Sequence, residues 1–440
     1  MGIVRDSSYM VLSNIILVFT SLATGVLTAR LLGPEGRGEL YLIIQIASLC
    51  SLFLSCGLGS SYQYHLSKKI FDHATIISHM LMQLLITSIV VIVLYLYGSE
   101  ILLFITGSSM SKPTQLLTSI AIILNVVIMF VTYILMSMPE GIKFNSIIGI
   151  FASLVNLTAL VFFIWFLKLG AYGAILAYIL SLLVRFLPII PKIMSGVWRK
   201  LSFTWLQPSP KLFTYSFSAF LSNMMVSSVF RIDVFILSSL AGVAAVGIYS
   251  VAVAFAEMAL MIPNALGTSL FTHLPSSTPA EQNTIIQRSS RIILFIAFIV
   301  GLVLAVISYP LVVILMGKRF IGAVEPLCLL LPGIVAMSIN YVYANFYGAN
   351  GKPLVSAACF AVGLLVNIGL NYVLIPVLKI NGAAIASSVS YAVISTIFIF
   401  LLRRQHGFTI RDLLLVNRED ISLVKDKVVG IVGRLMPGRV

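Results

Sequence analysis

Apolar runs separated by short polar connections occupy the chain from residue 8 to residue 402. Each run reaches about 20 residues, enough to cross a ~30 Å hydrocarbon core at ~1.5 Å of helix rise per residue. The runs are continuous rather than alternating, which excludes a β-barrel. The pattern predicts twelve spans at 8–29, 39–61, 74–97, 114–137, 145–167, 171–191, 212–236, 245–268, 289–315, 326–348, 354–377 and 382–402. The longest connections, 192–211 and 269–288, leave no room for a soluble catalytic domain. The fold class is therefore an all-α polytopic membrane protein. The expected organisation is a six-helix bundle at 1–194, a basic cytoplasmic linker at 195–211, a second six-helix bundle at 212–402, and a cytoplasmic tail at 403–440.

The polar positions repeat. Gly33 and Gly38 bracket a turn after the first span, and Gly242 and Gly247 bracket one after the seventh, 209 positions later. Leu12-Ser13-Asn14 matches Leu221-Ser222-Asn223, and Gly173-Ala174 matches Gly382-Ala383, at the same offset. Leu154-Val155-Asn156 matches Leu365-Val366-Asn367 at 211, which implies a small insertion. Six spans per repeat is an even number, so the halves share one orientation, as in transporters built from parallel repeats. A central cavity is expected between them, with spans 1 and 7 equivalent. Span 1 carries Ser7, Asn14, Ser21 and Thr28 at steps of seven; span 7 carries Ser216, Asn223, Ser227 and Arg231 on one sector. These stripes can line the cavity or pack helices through small polar residues. The amides favour the cavity, because an unpaired buried amide is costly.

Composition sharpens the class. Residues are 60% hydrophobic and 10% charged, with mean hydropathy +1.08, where a soluble domain has about 25% charged. The net charge of +14 reads as the positive-inside bias and contact with anionic membrane lipids, not as nucleic-acid binding. Of the 28 Lys and Arg, nineteen fall on the side of the N-terminus, tail included, and seven on the other. That asymmetry puts both termini in the cytoplasm. Cys50, Cys56, Cys328 and Cys359 lie in apolar segments without a Cys-x-x-Cys and read as packing residues. The five histidines show no metal spacing, and no phosphate-binding loop or Ser-His-Asp arrangement is present, so no catalytic residue, metal site or cofactor is predicted. The Asn156-Leu-Thr158 sequon falls inside a span and is discarded.

Charges inside spans are the candidate chemistry, since each costs roughly 2.5–3.5 kcal/mol at mid-helix on insertion scales. Arg231 ends the span 7 stripe. Asp233 lies about 200° around the helix from it, so the two point to different places. Glu257 in span 8 reads either as an ion-coupling site or as an ion-pair partner of Arg231. Arg185, toward the cytoplasmic end of span 6, reads as snorkelling to the interface. Tyr341 and Asn345 in span 10 suit sugar rings or an interfacial aromatic belt. Asn367 and Asn371 line a cavity or bond each other. In the tail, Ile421, Val424, Val428, Ile431 and Leu435 oppose Lys425, Lys427 and Arg434, with Asn417 as a cap. That pattern predicts an amphipathic helix on the anionic inner leaflet.

Three motifs carry a family resemblance: Tyr347-Gly-Ala-Asn-Gly-Lys-Pro353, Val366-Asn-Ile-Gly-Leu-Asn-Tyr-Val-Leu-Ile-Pro376 and Asn381-Gly-Ala-Ala-Ile-Ala386. With Leu32-Gly-Pro-Glu-Gly-Arg-Gly38, Arg231-Ile-Asp-Val-Phe-Ile-Leu237 and Val246-Gly-Ile-Tyr-Ser-Val-Ala252, the chain resembles the polysaccharide exporters of the multidrug/oligosaccharidyl-lipid/polysaccharide (MOP) superfamily from about residue 8 to 402. The resemblance implies a multi-pass protein of the bacterial inner membrane. It implies a lipid-linked oligosaccharide moved between leaflets by alternating access through a cationic cavity, with glycan polymerase and chain-length machinery as candidate partners. One departure stands out: Arg231 is the only arginine deep in spans 1, 2, 7 or 8. Two rival functions follow from the residues. A cation-coupled drug exporter would use Asp233 or Glu257 and need negative walls. A membrane-embedded glycan polymerase or ligase would need a sizeable outer loop.

Overall fold

In hydrocarbon an apolar run satisfies its backbone only as a helix or in a closed barrel. The computed structural model describes residues 2–100, 103, 110–138, 140–194, 210–261, 263, 278–417 and 420, with side chains except at 2–15, 210–215, 218–219 and 279. These residues form helices, and no strand occurs among them. In chain order they are α1 (Gly2–Ser55), α2 (Leu58–Ser67), α3 (His73–Tyr97), α4 (Lys112–Met136), α5 (Gly141–Leu160, continued by a π-helical turn Val161–Phe166), α6 (Gly170–Phe186), α7 (Ile189–Met194), α8 (Pro210–Ala241), α9 (Val243–Met258), α10 (Pro279–Leu315), α11 (Val324–Ala349), α12 (Pro353–Leu378), α13 (Ile380–His406) and α14 (Ile410–Leu414). Among the described residues, ten helices are long and apolar enough to cross a membrane. The first of them, Ile16–Ser55, carries predicted spans 1 and 2 on its two arms. Predicted span 8 begins as the shorter Val243–Met258, and most of its remainder lies outside the described residues. Apolar side chains within the spans face outward: Phe166, Val306 and Leu365 are 70–75% exposed, a pattern suited to lipid rather than water.

Contacts divide the chain into two compact units. The first comprises Met1–Val251, Tyr309–Val324 and Ile368–Ala383, and the second Ala252–Ser308, Glu325–Asn367 and Ala384–Val440. In the first unit Ile43 and Ala47 of α1, Ala121 of α4 and Ile175 and Ala177 of α6 are fully buried in one cluster, small residues letting the helices approach closely. In the second unit hydroxyls also join helices. Ser388 of α13 donates to Leu329 O of α11 at 2.6 Å, and Ser395 donates to Ala336 O at 2.9 Å.

The kink in α1 follows from Gly33-Pro34. Pro34 has no N–H to continue the helix, and Gly33 takes φ 70°, ψ −173°, a backbone state open to glycine. Arg37 is buried. Its guanidinium donates to Gly25 O and to Thr28 Oγ1 on the other arm of the kink, and to Ser250 Oγ of α9 at 2.8 Å. Arg30 is exposed and donates to Leu315 O at 2.9 Å and to Ile314 O, satisfying carbonyls that the end of α10 leaves open.

The two predicted turn motifs meet. A Cβ built on Gly38 would overlap the Val243 carbonyl, and one built on Gly247 would overlap the Pro34 carbonyl. Positions 34 and 243, like 38 and 247, are related by the sequence offset, so the contact is reciprocal in the manner of an isologous interface. Gly33 and Gly242, also offset-related, both have positive φ, 70° and 85°.

Beyond α13 the described part of the tail packs inward. α14 opens with a capping box, Thr409 and Asp412 each accepting from the other's backbone N–H at 3.2 and 2.9 Å, and Leu413 is fully buried. Arg291 of α10 donates to both carboxylate oxygens of Asp420, at 2.6 and 3.1 Å, and to Asp412 O at 2.7 Å. The amphipathic stretch from Ile421 to Leu435 lies outside the described residues. Arg291 holds the Asp420 carboxyl below its usual pKa of 3.8. A carboxylate depressed on folding stabilises above its unfolded pKa and loses that contribution as pH falls through the folded value. Docking through Asp420 is therefore complete at neutral pH and lost only below about pH 4. Asp420→Asn at neutral pH should remove charge-assisted bonding of about 1.5–3 kcal/mol, raising trypsin cleavage after Arg411 by about one to two decades. Unchanged cleavage would show that Asp420 does not hold the tail.

Candidate functional site

Two chambers lie within the first unit. The first, about 550 Å³, is walled by α1 (Ser48, Ser51), α4 (Asn125, Thr132, Tyr133), α6 (Arg185) and α8 (Ser227, Arg231). The second, about 430 Å³, is walled by α1 (Leu17), α5 (Asn145, Ser146, Ser153, Asn156) and α6 (Tyr178, Ser181, Arg185). Both volumes fall in the range of small-ligand sites. None of the described residues lining either chamber is acidic.

Polar groups reach these walls because they repeat at helical spacing on otherwise apolar helices. Asn125 and Thr132 are seven apart on α4, and Tyr178, Ser181 and Arg185 are three and seven apart on α6. Arg231 Nη1 donates to the Tyr41 hydroxyl at 3.3 Å, which fixes its direction. Asn125 Nδ2 donates to the Tyr178 hydroxyl at 3.0 Å. Three atoms on the walls are buried without a hydrogen-bond partner among the described residues: Thr132 Oγ1, Asn145 Oδ1 and Arg185 Nε.

The predicted residues are distributed as follows. Ser227 and Arg231 line the first chamber. Thr28 is buried, bonding Thr24 O and Gly25 O of its own helix at 2.8 and 3.0 Å. Ser21 and Asn223 have exposed side chains, and the side chain of Asn14 lies outside the described residues. Asp233 is buried, accepting from the Tyr249 hydroxyl at 2.6 Å and from Val234 N at 2.8 Å. The remaining four belong to the second unit. Glu257 is half-buried in α9. Asn345 Nδ2 turns back to Tyr341 O of its own helix at 2.7 Å. Asn367, fully buried, donates to Ser387 Oγ of α13 at 3.2 Å.

Sequence reasoning passed over Arg185. It assigned that side chain to the interface, whereas it lines both chambers. It also dismissed Asn156 with the sequon, although Asn145, Gly149, Ser153 and Asn156 run along one face of α5. That stripe was the available signal.

The profile of the polysaccharide biosynthesis protein family matches residues 3–277, more than half of the chain. The chain belongs to that family. A second profile, MatE, matches residues 218–373, and no curated protein matches. Among solved structures the fold is similar to that of the lipid II flippase MurJ in an inward closed conformation, with TM-score 0.73 at 16% identity over 93% of this chain and 89% of that one. An inward-facing multidrug resistance MATE family transporter of the MOP superfamily gives 0.72 at 16% identity over 89% and 94%. A MOP superfamily transporter from Pyrococcus furiosus, described as having a binding pocket of reverse polarity, gives 0.62 at 17% identity over 92% and 95%. The chain is thus a multi-pass membrane protein, and its fold is similar to those of the MATE transporter and MurJ, of about twelve helices.

Proposed function

We propose that this family member is a flippase for a polyprenyl-diphosphate-linked oligosaccharide, an O-antigen, capsule or exopolysaccharide unit. It carries that lipid from the cytoplasmic to the outer leaflet of a bacterial inner membrane by alternating access. Both termini are cytoplasmic, and the two six-helix repeats supply the alternating halves. The observation that carries the reading is the first chamber: its described lining brings together two arginines, hydroxyls and an amide, and no carboxylate is among the described residues that line it. A diphosphate presents oxygens in the geometry that a guanidinium fork meets with two hydrogen bonds at once. The second arginine answers the departure noted above, since Arg185 comes from span 6, outside the four spans in which only Arg231 was found.

A cation-coupled drug exporter needs negative walls, and Asp233 is occupied by Tyr249. The short outer connections supply no catalytic loop for a polymerase or ligase. Purified protein in nanodiscs should bind undecaprenyl diphosphate, and Arg185→Ala/Arg231→Ala should weaken that binding by at least about 100-fold, as loss of buried charged contacts implies. Tighter binding of tetraphenylphosphonium than of the diphosphate would overturn the reading.

A further inference from the structure

The second chamber differs in chemistry from the first, yet the two share Arg185 and Met136 as common wall. Past Arg185 the polar lining among the described residues is uncharged: Asn145, Ser146, Ser153, Asn156, Tyr178 and Ser181. The hydroxyls of Ser153 and Ser181 donate to their own helices, to Ile150 O and Tyr178 O, so toward the chamber they offer acceptor lone pairs. Asn145 Oδ1 is a buried acceptor with no hydrogen-bond donor among the described residues. A wall of acceptors and amides beside an apolar lining of Leu17, Ile142 and Leu182 suits a ligand rich in O–H or amide N–H donors with apolar ring faces. Among its described lining residues it offers an anionic group no cation beyond Arg185, which the first chamber shares.

Resting on the diphosphate reading above, we propose that the second chamber is the subsite for the sugar joined to the diphosphate, and that this sugar is uncharged. Asn145 Oδ1 accepts from a ring hydroxyl or an N-acyl N–H. Asn156 bonds a second ring substituent, and Arg185 sits at the junction, where the sugar meets the phosphate. Asn145 and Asn156 are then specificity-determining residues, and Arg185 serves both parts of the substrate.

The test compares two probes on the full-length protein in nanodiscs: undecaprenyl diphosphate, and the same lipid carrying one N-acetylglucosamine on its diphosphate. The native protein should bind the sugar-bearing lipid about tenfold more tightly, the scale of one or two buried hydrogen bonds. Asn145→Ala/Asn156→Ala should bind both probes alike, with affinity for the bare lipid within about twofold of native, which also certifies that the variant is folded. If the double variant does not accumulate, each single variant should lose part of the preference on the same measure. A native protein with no preference for the sugar-bearing lipid, or a variant that keeps the whole preference, overturns the proposal. Failure of the native protein to bind the bare lipid would be a different result, one that removes the diphosphate reading itself and this proposal with it.

Discussion

Arg231→Ala should lower glycan export by about two to three decades while the amount of protein in the membrane stays near normal. The magnitude follows from truncating one partner of a buried charged contact, about 2–5 kcal/mol. Arg231→Lys should keep partial export, because the charge remains while the planar fork is lost. Arg185→Ala should behave like Arg231→Ala, since both arginines face the same chamber. The rival account makes Arg231 a structural partner of Glu257. Under that account Arg231→Ala reduces folded protein, and Arg231→Ala/Glu257→Ala restores both level and export. Export and membrane protein level measured together for these variants separate the two accounts, and recovery in the double variant would remove Arg231 from substrate binding.

The second large effect concerns folding. Gly247→Ala should sharply reduce the folded protein recovered, at a cost of about 3 kcal/mol or more, the upper end for overpacking. The added methyl meets the Pro34 carbonyl and the backbone around Gly38, and main chain cannot swing aside as a side chain can. Gly38→Ala should cost about as much for the mirror reason. The double variant should cost less than the sum of the two, because both substitutions open one shared contact. Gly369→Ala is the control. Nothing lies within 4 Å of its added Cβ, so the change should be neutral or stabilising by up to about 1 kcal/mol from helix propensity. Thermal unfolding in detergent checks all four, and a Gly247→Ala protein as stable as the native one would refute the close approach.

The sequence was informative wherever a single periodicity decided the outcome. The predicted limits of α3, α4, α11, α12 and α13 lie within four residues of those observed, because an apolar run of fixed length has one solution in a bilayer. The glycine motifs were legible as a repeat, but not as partners, since nothing along a chain says that two turns some 200 positions apart touch. Arg185 was misplaced for a related reason. Snorkelling sends a cation near a helix end to the interface, whereas Arg185 turns into the chambers. Asn367 and Asn345 carried the right chemistry for a sugar, yet both amides bond helix groups, and sequence spacing alone cannot tell a lining amide from a packing one.

The reciprocal glycine contact needs only one kind of surface. Each side supplies the same turn, with a left-handed glycine at its start and a bare glycine five residues on, and each buries its second glycine against the other's carbonyl. A chain of half this length, bearing one copy of the turn, would carry everything the contact requires and could make it with its own twin. Joined in one chain, the copies no longer have to be identical, only compatible. Pro34, Glu35 and Arg37 can stand where the other copy has Val243, Ala244 and Val246, so one arm gains a buried guanidinium that the other never acquires.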